Sequence, residues 1–286
     1  MTLDVWSHPV GMTDPGAAAA LLDGLPADAA ALAAVVQGLL IHQHIAPAYG
    51  VALTAAQQDE PHLRPVAALL EHLTATDPRP LHAARPPEQR LAAVCRHFTV
   101  LHVALLRRHG LAARARCGFA AYFEPGQFVD HWVSEYWHEA AARWVLADAQ
   151  LDARQCEIFG IDFDPLDVPR DRFLVAGEAW RRCRAGEADP QAFGILDLRG
   201  PWFVAGNVVR DVAALNNREM LPWDVWGAMP RADEAIDEKL FDRLAEISRA
   251  PDRSPDALQE ACRDPRVAVP DRVFNALRNR PEAVNG

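Results

Sequence analysis

Hydrophobic and polar positions alternate with two different periods along this chain, and the change between them divides it. Residues 15–76 carry helical spacing. Ala-rich stretches run over 16–22 and 26–45, with Asp14 and Asp23 near their starts and Pro26 suited to a first helical position. A further helix is expected over 61–74, where Leu63, Val66, Leu69, Leu70 and Leu73 share a face. Asp77-Pro78-Arg79-Pro80 and Arg85-Pro86-Pro87 then break regular structure. Residues 95–109 follow as a helix apolar on too many sides for the surface. Gly110 stops it, and Arg107, Arg108 and His109 complement the negative end of its dipole. Beyond this point the period becomes two. Strands are expected over 113–123, 131–137 and 143–149, the last two joined by His138-Glu139-Ala140-Ala141-Ala142. Helices are expected over 170–184 and 232–249, loop or strand over 200–209, and short helices from Pro251 onward.

These elements predict an α+β fold: a buried helix packed on an antiparallel sheet, with a helical N-terminal region over 1–85, a core over 86–230 and a helical C-terminal extension over 231–286. The three segments are expected to pack as one compact unit.

Composition narrows the function. The 286 residues are 50% hydrophobic and 24% charged, as in a globular domain with a sizeable core. A net charge of −10 argues against nucleic acid as a partner, because that recognition leans on a basic surface. No run is long and apolar enough to span a bilayer, and the start lacks an export signal, so no membrane partner and a cytoplasmic location are expected. The five cysteines show no C-x-x-C spacing and read as reduced thiols. Neither G-x-S-x-G, a phosphate-binding loop, a dinucleotide fingerprint nor H-E-x-x-H occurs, so no cofactor and no metal are expected.

Three residues acquire meaning together. Cys95 opens the buried helix, where free N–H groups favour thiolate and can stabilise an oxyanion. His131 and Asp148 lie on the two arms of the expected hairpin. With the loop centred between Glu139 and Ala140, paired residue numbers sum to 279 and His131 faces Asp148, an arrangement in which a carboxylate fixes an imidazole tautomer. Asp152 shares the strand parity of Asp148 and is the rival acid. Cys117, alternating with apolar residues, reads as core. His42 and His44 diverge on a helix and do not make a metal site.

Cys95-Arg96-His97-Phe98, Ala104-Leu105-Leu106-Arg107, Gly110-Leu111-Ala112-Ala113-Arg114, Cys117-Gly118-Phe119, Asp130-His131-Trp132-Val133 and Arg143-Trp144-Val145-Leu146-Ala147-Asp148 together resemble the core of the transglutaminase-like superfamily, over roughly residues 90–152. The order Cys, His, Asp and the spacing from Cys95 to His131 and from His131 to Asp148 match that pattern. The resemblance implies a papain-like fold with Cys95 as nucleophile, His131 as general base and Asp148 as the residue orienting it. Where the family commonly carries a glycine shortly before the cysteine, this chain has Ala92-Ala93-Val94. Gln89, a little way before Cys95, matches the offset at which papain-like enzymes place an oxyanion-stabilising glutamine. Trp132, Tyr136 and Trp144 are candidates for the wall of a substrate groove.

The expected activity is thiol-dependent acyl transfer or hydrolysis on an amide, ester or thioester, with a peptide, protein or small acyl compound as substrate. The competing reading is a catalytically silent binding protein that kept the fold; a Cys/His/Asp metal site is a third.

Overall fold

The computed structural model describes residues 3–253 and 255–284. In chain order its elements are α1 (Ala29–Leu39), β1 (Leu40–His42), α2 (Ala55–Asp59), α3 (Val66–Thr76), β2 (Leu91–Ala93), α4 (Cys95–Arg108), β3 (Ala113–Ala120), β4 (Phe128–His138), β5 (Arg143–Ala147), α5 (Ala153–Phe159), β6 (Phe173–Val175), α6 (Ala176–Arg184), β7 (Phe193–Ile195), β8 (Leu198–Arg199), α7 (Pro201–Leu215), β9 (Asp224–Val225), α8 (Glu238–Arg249), α9 (Pro255–Arg263), β10 (Arg272–Asn275) and β11 (Arg280–Ala283). The fold is mixed α+β with antiparallel and mixed sheets. The chain divides into two units. One comprises Val133–Val168 and the described residues up to Arg114; the other comprises Ala115–Trp132 and those from Pro169 onward.

The first unit is built on α4. Every residue from Cys95 to Arg107 is buried, so the broad apolar distribution reflects packing on all sides rather than amphipathicity. The first turn is held by side chains. His97 Nδ1 accepts the Val94 N–H at 3.2 Å, and its Nε2 lies 3.0 Å from Leu63 O. Arg96 donates to Arg64 O at 2.5 Å. β2, just before the helix, pairs in parallel with β1. The Ala92 N–H donates to Glu60 Oε2 at 2.6 Å, and Glu60 also contacts His72. The antiparallel β4–β5 hairpin pairs Ser134 with Ala147 through to His138 with Arg143. Arg114 donates to Glu135 at 2.7 Å and lies 3.8 Å over the Trp144 ring.

The second unit carries a sheet in the order β6-β3-β4-β7-β8, with β3 and β6 antiparallel and β4 and β7 parallel. Gly118 of β3 sits opposite Val175, and a Cβ there would lie 2.1 Å from Leu174 O. Only glycine permits that approach. Asp211 of α7 accepts from Arg116, from the Cys117 N–H and from Ser248 Oγ, all buried. Cys117 is fully buried in this sheet.

Several expected elements need correction. The 26–45 stretch is helical only over α1 and then gives β1, so His42 lies on a strand rather than a helix. The 200–209 stretch is not loop or strand but the start of α7, with Pro201 at its first position and every residue from Phe203 to Leu215 buried. Burial on all faces removes the periodicity that marks a helix. The 170–184 segment holds β6 before α6. The C-terminal extension is not all helical: β10 and β11 form a hairpin, to which β9 adds a third strand.

Candidate active site

Cys95 and Asp148 fall in the first unit and His131 in the second. Cys95 is the first residue of α4 and is 7% exposed. Its carbonyl accepts from Thr99 Oγ1 at 3.1 Å. Asp148 directly follows β5 and is buried. Its N–H donates to Pro165 O at 2.7 Å, and its Oδ1 accepts the Gln150 N–H at 3.1 Å. His131 lies on β4, buried, with Phe123, Tyr122 and Phe173 presenting rings near edge-on to it at 4.9, 6.0 and 6.3 Å.

The hairpin register differs from the expected one. Ser134 pairs with Ala147, so partner numbers sum to 281 rather than 279. The loop is Glu139–Ala142, between the terminal pair His138 and Arg143. A two-residue offset preserves the face of each strand residue, but Asp148 lies beyond the last paired position and is presented by the segment leaving the sheet.

Asp152, the rival acid, caps α5: its Oδ1 accepts the Gln155 N–H at 2.9 Å. Both its oxygens lie 2.8 Å from the Tyr49 hydroxyl, and burial together with this carboxylate pushes the phenol upward. Gln155 completes the cluster through Gln150 and Tyr49. Gln89 ends a short 3-10 turn, exposed, with its amide oxygen 3.4 Å from Arg79. Trp132 is fully enclosed, while Tyr136 and Trp144 are buried, Trp144 edge-on to Trp6 and Trp137.

Two polar groupings beside these residues had no signature along the chain. On the His131 side, Asn207 donates to Asp130 at 2.7 Å and accepts from Arg210 at 3.0 Å; burial pushes the Asp130 carboxyl upward. Both partners sit on α7, the helix that periodicity hid. In the first unit, His102 Nδ1 lies 2.8 Å from Ser134 Oγ, and Ser134 Oγ lies 2.8 Å from Ala147 O. The i,i+7 spacing of Cys95 and His102 on one helix was the only available hint.

Among the described residues, no three His, Cys, Asp or Glu side chains gather as a metal would need, and no helix is long and apolar enough to cross a membrane. The second unit holds an open cleft of about 690 Å³ lined in part by Arg182, Arg243 and Arg249. Glu178 and Asp264 pair with these three guanidinium groups, so they form an ion-pair network.

The sequence model of the transglutaminase-like superfamily matches residues 53–149. The match is confined to that stretch, about a third of the chain, and begins further toward the N-terminus than the motifs alone, taking in α2 and α3. No curated protein and no solved structure matches the chain.

Proposed function

We propose that this protein is a thiol-dependent acyl-transfer enzyme in which Cys95 is the nucleophile, His131 the general base and Asp148 the residue that orients the imidazole. The observation that carries the reading is the family match over 53–149, which contains all three residue types in the superfamily's order, together with the placement of Cys95 at the first position of a buried helix. In the reaction, His131 takes the Cys95 proton as sulfur attacks an amide, ester or thioester carbonyl carbon. The carbon–leaving group bond breaks and the imidazolium protonates the leaving group. Water or an amine then attacks the acyl-enzyme and releases the thiol. The helix N-terminus contributes N–H groups toward a developing oxyanion. The low exposure of Cys95 favours the second reading, a silent binding protein.

Alkylation separates the two. Burial pushes the Cys183 and Cys262 thiols up to about 11 and raises Cys156 as well. At pH 7.5 a thiol near 11 holds about 300-fold less thiolate than a free one near 8.5. Higher nucleophilicity offsets about tenfold or slightly more of this, leaving labelling about 20- to 30-fold slower. Iodoacetamide followed by peptide mass spectrometry should mark Cys95 first, by a margin wider than burial of the other thiols explains, and His131→Gln should slow Cys95 labelling. A panel of acyl esters and thioesters should leave an acyl mass that Cys95→Ala lacks. If Cys95 labels no faster than Cys183 or Cys262, the nucleophile assignment falls.

A further inference from the structure

α4 carries a second chemistry-bearing residue two turns below Cys95. His102 is fully buried, and its polar contacts are Ser134 Oγ at Nδ1, 2.8 Å, and Ala29 O at Nε2, 3.3 Å. Ser134 Oγ in turn lies 2.8 Å from Ala147 O. Ala147 is the last residue of β5, directly before Asp148. All of these residues belong to the first unit.

The proton positions follow from the partners. Ala29 O and Ala147 O are carbonyls and only accept. If neutral His102 carries its proton on Nδ1, both short contacts become hydrogen bonds: Nδ1–H donates to Ser134 Oγ, and Ser134 Oγ–H donates to Ala147 O. Only the longer contact to Ala29 O goes unmade. With the proton on Nε2, the serine hydroxyl must turn to Nδ1. The Ser134 and Ala147 oxygens then face each other at hydrogen-bond distance with no proton between them. The first arrangement wins. Burial keeps the imidazole neutral, lowering it to about 4, while the Ala29 carbonyl first and Asp148 second act on the ring in the opposite direction. The Asp148 carboxylate is therefore close enough to His102 to be felt electrostatically.

We propose that His102 and Ser134 are positioning residues for Asp148: a hydrogen-bonded strut from the nucleophile's own helix to the peptide that presents the acid. This deepens the function proposed above and rests on it. A strand register alone does not hold Asp148, because the ladder ends one residue earlier. The strut supplies the restraint at that point and ties the acid to the helix that bears Cys95.

The test measures the Cys95 alkylation rate in the full chain, with thermal melts for each variant. Asp148→Asn and His131→Gln test the underlying reading; if neither slows Cys95, both that reading and the strut fall. Given that they do, Ser134→Ala and His102→Leu should slow labelling about three- to tenfold, the scale of one lost buried hydrogen bond. His102→Asn, whose side-chain N–H replaces Nδ1–H, should recover most of the rate lost in His102→Leu. In the Asp148→Asn background, Ser134→Ala should add no further slowing, whereas a purely structural loss would add in full. Should His102→Leu fail to fold, Ser134→Ala and its double variant decide. Unchanged labelling in Ser134→Ala, or full additivity with Asp148→Asn, refutes the strut and leaves the triad standing.

Discussion

Lowering the pH from 7 to 5 should loosen the first turn of α4, because His97 works there only as a neutral base. Its Nδ1 accepts the Val94 N–H and its Nε2–H donates to Leu63 O. A second ring proton would face an N–H donor. Burial first, and the neighbouring Arg96 cation second, push the imidazole down to about 3. A histidine near 6.5 in the unfolded chain and about 3 in the folded one contributes stability that is present above 6.5 and lost as pH falls, since the unfolded state binds the proton first. Between pH 7 and pH 5 the loss is about 2 kcal/mol from linkage. His102, lowered to about 4, loses a similar amount with the same sign, and lowered His44 adds to it. A total near 4 kcal/mol is a large part of the roughly 5–15 kcal/mol that holds a typical domain together. Urea unfolding followed by tryptophan fluorescence at pH 7, 6 and 5 measures it. His97→Asn, compared across the same pH values, should remove about half of the decline. That comparison subtracts the contrary contributions of Glu60 and Asp130, whose carboxyls burial pushes upward. Equal urea midpoints at pH 7 and 5, or an unchanged decline in His97→Asn, would refute the neutral-cap account.

Two further outcomes follow from packing. Asp152→Ala removes the α5 cap and the acceptor of the Tyr49 hydroxyl and should cost about 2–3 kcal/mol in urea unfolding, while Asp152→Asn keeps an oxygen for both and should cost under about 1 kcal/mol; its Cys95 labelling should stay close to wild type. Gly118→Ala drives a methyl to 2.1 Å from the Leu174 carbonyl, a backbone atom that cannot step aside, and should cost more than about 3 kcal/mol or abolish folding, read by thermal melts.

What the sequence disclosed, and what it hid, has a physical basis. α4 was legible because its stop is local: Gly110 in the left-handed region and two arginines in the last turn. The two hairpin strands were legible because one pleated face must be apolar. Their register was not, since Glu139-Ala140-Ala141-Ala142 contains none of the residues that dictate a turn type; the loop closes with Ala142 at φ 48°. α7 stayed hidden because a helix buried all round has no polar face to set a period. Asp152 caps α5 through a residue three positions on, but its bond from the Tyr49 hydroxyl, 103 residues away, has no spacing along the chain to reveal it.

The proline-rich stretch before β2 reads by composition as a break in regular structure between the helical N-terminal region and the core. Arg85 makes it something else. Its buried guanidinium donates to the carbonyls of Asp77, Arg79, Pro80 and Ala83, with the Asp77 carboxylate 3.5 Å from Nε. Four peptide oxygens are thus turned inward onto one cation, and the segment is a ring with a charged hub. A protease needs an extended strand whose carbonyls and amides face outward, and this ring withholds them. The point that looks easiest to cut is thus one where the polypeptide is fastened to itself.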